Sequence, residues 1–324
     1  MVFINSKLKL ILITLCISVL FTSIAKADYP EHAIKLVVPF APAGAVDGIA
    51  RLFSIEFGKN LGQTIIVENK GGSGGTLGIL SAIQAPSDGY TLLLGSLATA
   101  SAPALYPKAG INIKLLEPIT LIGRSAYVLV VKNDLPAKNI VELIALLKAN
   151  PGKFNYSSAG SGSAIHLAAE LFKSKAGVEV LHVPYKGAGP ALNALMSGDV
   201  EMMFGSIPEL SPQIVAKRFR AIAVTSSIRS SALPDVPSMS EGGVKDYDVS
   251  GWYGVYAPSN LPADVLAKLR VAAQTTLKSN GTQQLLKRYA MEPVQGGAKE
   301  AGETIELEVK RWSEVINKVK INVD

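Results

Sequence analysis

Two stretches of small residues each stand between a strand-like run and a helix-like run, and neither contains a lysine or arginine. The first is Phe40-Ala41-Pro42-Ala43-Gly44-Ala45-Val46-Asp47, after the apolar run at 34–38. The second is Ala159-Gly160-Ser161-Gly162-Ser163-Ala164-Ile165-His166, after residues 154–158. A helix start leaves backbone N–H groups unpaired and carries a partial positive charge, and small residues let an anion approach it closely. The chemistry on offer is capture of a small anion from two sides of a cleft. The candidates are Phe40, Ala43, Gly44, Ala45 and Asp47 in the first loop, and Ser161, Gly162, Ser163, Ala164 and His166 in the second. Ser161 and Ser163 add hydroxyls. Asp47 is expected to accept N–H bonds of its own loop. His166, in the first turn of its helix, either bonds to the loop backbone or lines the cleft.

Two further strand–loop–helix junctions join the list. Pro184-Tyr185-Lys186-Gly187 offers a phenol to cover a ligand's apolar body and an ammonium near a carboxylate. Gly205-Ser206 follows Met203-Phe204 and makes Ser206 a candidate. Nothing in the chain supplies matched catalytic partners. Gly71-Gly72-Ser73-Gly74-Gly75 fits the G-x-S-x-G pattern of serine hydrolases, but no histidine follows His182 to activate Ser73. A secreted α/β serine hydrolase using Ser73 stands as the alternative reading, with a tight turn as the simpler role. No glycine-rich segment has nucleotide-binding spacing, and no H-x-x-x-H pair or Cys/His cluster points to a metal. No catalytic residue, metal ligand or cofactor is expected.

The elements that must hold these loops alternate. Strand-like runs at 65–67, 90–94, 128–131, 180–183, 202–204 and 221–224 read as short buried strands. Between them lie amphipathic helices, one through Ile140, Leu143, Ile144 and Leu147, another at 167–173. That alternation predicts mostly parallel sheets flanked by helices. After a strand at 251–256, Pro262 opens a helix, and a last helix sets Ile305, Val309, Trp312 and Ile316 on one face. No flexible linker divides the chain, so strands crossing between two halves would serve as hinges.

Lys7 and Lys9, an apolar run at 10–21 and Ala25-Lys26-Ala27 form the pattern of a secretory signal cleaved after Ala27. Cys16, the only cysteine, falls inside it. Without Lys7, Lys9 and Lys26 the 32 basic residues become 29 against 26 acidic, a net charge of +3. No basic block marks a nucleic-acid partner. A soluble exported protein with room for two domains is expected.

Taken together, these residues resemble the substrate-binding proteins of tripartite tricarboxylate transporters, the Bug or TctC family. The matching stretches are Tyr29-Pro30, residues 34–40, Gly44, residues 47–51, Val67-Glu68-Asn69 and residues 86–93. They continue through 160–172, 182–187, 223–226, 233–237, Gly251-Trp252 and Ala257-Pro258, in the family's order. The resemblance implies an α/β periplasmic binding protein of type II-like fold, a monomer with a ligand cleft between two lobes. It divides the chain into a signal peptide at 1–27, lobe one at 28–127 and 250–324, and lobe two at 128–249. The implied ligand is a small carboxylate, mono-, di- or tricarboxylate or aromatic acid, held by backbone N–H groups and water. The implied partners are the membrane components of a tripartite transporter, with presentation to a sensor kinase as a second binding role. Ala43 and Val46 stand where the family usually has glycine and a hydroxyl residue, and Gly205 where many members have aspartate. The missing acid favours plain carboxylic acids over amino acids.

Overall fold

Burial at regular spacing builds the helices that carry the two loops. In α1 (Ala45–Leu61) Ile49, Phe53, Phe57 and Leu61 recur every fourth residue and are buried, and Gly62 ends the helix in the left-handed region at φ 73°. The structure, a computed structural model, describes residues 28–42, 44–294, 297–321 and 323. The expected signal peptide lies outside the described residues.

Ahead of α1 stands β1 (Ile34–Val38). It is followed by β2 (Ile65–Asn69), α2 (Thr76–Ile83), β3 (Thr91–Ser96) and α3 (Leu97–Leu105). Next come β4 (Leu116–Lys132), α4 (Ile140–Ala149), β5 (Asn155–Ser158), α5 (Ala164–Ala176), β6 (Leu181–Pro184) and α6 (Ala188–Ser197). The chain continues with β7 (Met202–Ser206), α7 (Ile207–Val215), β8 (Phe219–Val224) and β9 (Ser250–Pro258). Last come α8 (Ala263–Leu277), α9 (Asn280–Arg288), β10 (Met291–Glu292) and α10 (Gly297–Val319).

The strands pair in the order β2-β1-β3-β9-β4-β7-β5-β6, with β8 and β10 also on β4. The outer groups β2-β1-β3 and β6-β5-β7 are parallel, as the alternation predicted. The centre is not. β4 runs antiparallel to β7, β8, β9 and β10, so the sheet is mixed. Two of the runs read as buried strands are edges instead, where one side faces water: Ile66 in β2 is 52% exposed and Leu181 in β6 58%.

β4 joins the two lobes. Residues up to Ala126 pair with β9, whereas Tyr127 onward pairs with β7 and, from Val128, with β8. Thr225 fastens this switch. Its N–H donates to the Tyr127 carbonyl (2.9 Å) and its carbonyl accepts from Val249 N–H (2.8 Å). The Thr225 hydroxyl accepts from Tyr127 N–H (2.8 Å) and donates to the Val249 carbonyl (2.6 Å). β4 at Tyr127 and the segment entering β9 at Val249 are thereby tied to one buried side chain.

One core cluster gathers Val128–Val131 with Leu143, Phe172 and Phe204, and another gathers Val37, Leu93, Leu121 and Trp252. α10 serves both. Ile305 packs in the second of these, while Trp312 and Ile316, with Ile321 just beyond the helix, pack in the first.

Thr225→Val keeps the shape and leaves the buried Tyr127 N–H without its partner. It should destabilise the protein by about 1–3 kcal/mol in denaturant unfolding; an unchanged midpoint would show the tie to be dispensable.

Candidate functional site

The first loop is anchored from behind by three side chains. Asn69, at the end of β2, donates to the Phe40 carbonyl (3.1 Å) and to Asp47 Oδ1 (2.9 Å). Arg51, one turn along α1, donates from Nε to Asp47 Oδ2 (3.0 Å) and from its terminal nitrogen to Asn69 Oδ1 (3.1 Å). Asp47 is buried and raises the Arg51 pKa further by its hydrogen bond and charge. The carboxylate thus holds the loop to β2. Gly44 is the N-cap of α1, with extended backbone at φ −85° and ψ 171° and no side-chain cap. A Cβ built on it would meet nothing within 4 Å. Among the described residues, the N–H groups of Ala45 and Val46 have no partner, as the first turn of a helix requires. Ala43 lies outside the described residues.

The second loop is braced by a stack of rings. Its N-cap, Ser163, accepts at Oγ from His166 N–H (3.4 Å). His166 Nδ1 accepts from Gly162 N–H (3.0 Å), which places the imidazole proton on Nε2. The His166 ring stacks on His182 with centroids 4.1 Å apart, and His182 stacks on Tyr156 at 5.0 Å. His182 Nε2 bonds to Ser158 Oγ (2.6 Å), while Tyr156 donates to Glu170 (2.7 Å). Burial lowers both imidazoles to about 4.

The brace engages two of the loop's N–H groups. Gly162 N–H is spent on His166, and Ser163 N–H donates to the Gly160 carbonyl (3.1 Å). Ser161 and Ala164 retain N–H groups without a partner among the described residues. His166 is 3% exposed and holds the loop from inside.

At the third junction Tyr185 N–H donates to the Ser158 carbonyl (3.0 Å), and its half-buried ring packs on the core. Lys186 is exposed. At the fourth, Ser206 donates to Glu209 Oε2 (3.0 Å), and burial raises the Glu209 pKa. Ser73 is exposed in a turn at φ 46°. The histidines are engaged elsewhere: His32 stacks on Tyr90, and His166 and His182 on each other.

Several polar groups near these loops escaped the sequence reading. The Tyr289 hydroxyl sits against Gly48 in the first turn of α1, where a Cβ would collide with it. Tyr127 and Tyr253 are buried at the β4 switch, and burial raises the pKa of each phenol. The Tyr106 ring, just after α3, lies beside Gly74 and Gly162. Lone tyrosines carry no spacing signal, so no sequence pattern separates these from core residues. A groove of about 810 Å³ on the outer face of α1 and β2 is lined by Arg51, Ile55, Lys59 and Ile66, with no residue of either glycine-rich loop. Among the described residues no cluster of three His, Cys, Asp or Glu could hold a metal.

The starts of α1 and α5 leave backbone N–H groups open, a chemistry suited to an anion. The model of the tripartite tricarboxylate transporter family receptor matches residues 49–321. The periplasmic binding protein BugD is similar at 34% identity and TM-score 0.83, covering 91% of this chain and 99% of that one. A protein of R. palustris with adipate gives 30% identity and TM-score 0.84, covering 91% and 99%. MatC from Rhodopseudomonas palustris, with bound malate, gives 30% and 0.82, covering 89% and 100%.

The His166–His182 stack makes stability pH-dependent. Each imidazole titrates lower in the folded chain, about 4, than the ordinary 6.5, so the unfolded chain takes up protons first as pH falls. The stabilisation is complete above about pH 6.5 and is lost progressively toward pH 4. NMR titration should find both imidazoles charging well below pH 6, with unfolding free energy falling over the same window. Titration of both near 6.5 would contradict the brace.

Proposed function

Since the chain belongs to the tripartite tricarboxylate transporter receptor family, we propose that it is a periplasmic receptor for a small dicarboxylate. It delivers that ligand to the membrane components of a tripartite transporter. The family is one of substrate-binding receptors, not enzymes, and the coarser reading, a solute receptor for carboxylates, is its common ground. The observation that carries the finer reading is the pair of helix starts, on α1 and α5, whose N–H groups are open at Ala45, Val46 and Ala164. Adipate and malate, the acids held by two structurally similar proteins, set the size of the ligand. Export follows from the basic start, short apolar run and Ala25-Lys26-Ala27 site, and no helix of the described residues is long and apolar enough to cross a membrane. The protein acts as a monomer and needs no cofactor.

The export step is checked by N-terminal sequencing of the protein from the periplasmic fraction, which should begin at Asp28. A chain beginning at Met1 in the membrane fraction would overturn it.

Binding is checked by a thermal-shift screen of mono-, di- and tricarboxylates and aromatic acids. A ligand at about 100 times its Kd that binds only the folded state adds about 2.7 kcal/mol. Shifts from sugars or cationic amines, with none from any acid, would refute the anion reading.

Two variants then ask what holds the anion. Ala45 and Ala164 are first residues of their helices, where proline is tolerated and only an N–H is lost. Gly44 and Ser163 before them already have the extended backbone that proline requires. Ala45→Pro and Ala164→Pro should each weaken carboxylate binding by about 10- to 150-fold, a charged hydrogen bond being worth roughly 1.5–3 kcal/mol. The ligand-free melting temperature should stay where it was. Lys186→Ala should matter less, because an exposed ammonium is screened. If Lys186→Ala abolishes binding and both proline variants bind normally, a side-chain charge holds the anion.

A further inference from the structure

Two glycines with left-handed backbone, one from each half of the sheet, flank the same phenol. Gly74 (φ 63°) belongs to the turn between β2 and α2, and Gly162 (φ 79°) to the loop between β5 and α5. A Cβ on Gly74 would lie 2.7 Å from Tyr106 Oη, and a Cβ on Gly162 3.3 Å from that same oxygen. Gly162 is also closed in by Leu105, at 3.1 Å by the same measure. A side chain at Gly74 would therefore displace the phenol, and one at Gly162 would crowd it.

The ring is held in place. Tyr106 N–H donates to the Ala102 carbonyl (2.9 Å), its carbonyl accepts from Ala109 N–H (2.9 Å), and its side chain packs against both core clusters. The hydroxyl, by contrast, has no hydrogen-bond partner among the described residues. Partial burial raises the Tyr106 pKa, so the group stays a donor at neutral pH. Thr76, two residues after Gly74, is 5% exposed, and its hydroxyl is likewise unpartnered. Satisfied ring packing beside an unsatisfied donor is what a binding position needs.

We propose that Tyr106 is a specificity-determining residue, whose hydroxyl donates to the second carboxylate of a dicarboxylate between the loops carrying Gly74 and Gly162. This rests on the receptor reading above: the first carboxylate occupies the helix starts, and Tyr106 selects for an acid that has another. A monocarboxylate of the same length leaves the hydroxyl unpaired and gains nothing from it.

The test is isothermal titration of wild type and Tyr106→Phe with succinate and adipate, and with butyrate and hexanoate as length-matched monoacids. Wild type should prefer the diacids. Tyr106→Phe should weaken diacid binding about 10- to 100-fold, leave monoacid binding unchanged and keep the ligand-free melting temperature. A purely structural phenol would shift the melting temperature or weaken both acid classes alike, and either result overturns the proposal. Equal diacid affinity in the two proteins also overturns it, and leaves the receptor reading intact. A wild type that binds none of the acids in this set or in the wider screen defeats both.

Discussion

Thr225 fixes the geometry on which the rest of the molecule depends. Where a strand leaves one sheet partner for another, its backbone N–H and carbonyl groups lose their ladder. Buried groups left so would cost more than most single contacts return. Thr225 supplies one donor and one acceptor from its side chain, and one of each from its backbone, to Tyr127 and Val249. The crossing from one group of strands to the other is thus held in register by directed hydrogen bonds. Directional bonds of this kind keep the strands in line at the crossing.

That register is passed to the site through a short series of strands. From the first loop the series runs β1, β3, β9, β4, and from the second β5, β7, β4. Both glycine-rich loops leave the ends of strands in this one series, so their relative position is set by backbone pairing. Side chains then trim each loop: Asn69 and Arg51 pull the first onto β2, and His166 pins the second. Neither loop relies on a lysine for its charge, and Arg51 is turned toward Asp47 and away from the open end of α1. What the two loops offer is oriented N–H groups at helix starts, and Arg51 beside the first loop is already paired with Asp47.

The sequence made the loops and their helices legible because those signals are local. Small residues ahead of an apolar period, a serine at an N-cap and a glycine at a helix end each act within a few positions. β4 was harder. Only Val128–Val131 reads as a strand, because Pro118, Gly123 and Ser125 interrupt the apolar pattern upstream; the 17-residue strand exists through pairing with distant β9. α3 was hidden as well, since Leu97–Leu105 is a run of small residues with an internal Pro103, and its helical state is set by the burial of Leu97–Ala102 and Leu105. The use of Gly162 N–H by His166 could not be read from spacing, which puts the ring within reach but does not say which way it faces.

The C-terminal helix bears on how the chain matures. A ribosome delivers residues from the N-terminus, and domains of many proteins fold in turn as they emerge. Here Ile305 completes one core, and Trp312, Ile316 and Ile321 complete the other. Neither lobe can finish packing while the last stretch of chain is still unmade. Packing of both cores is therefore complete only once residues 305–321 are in place.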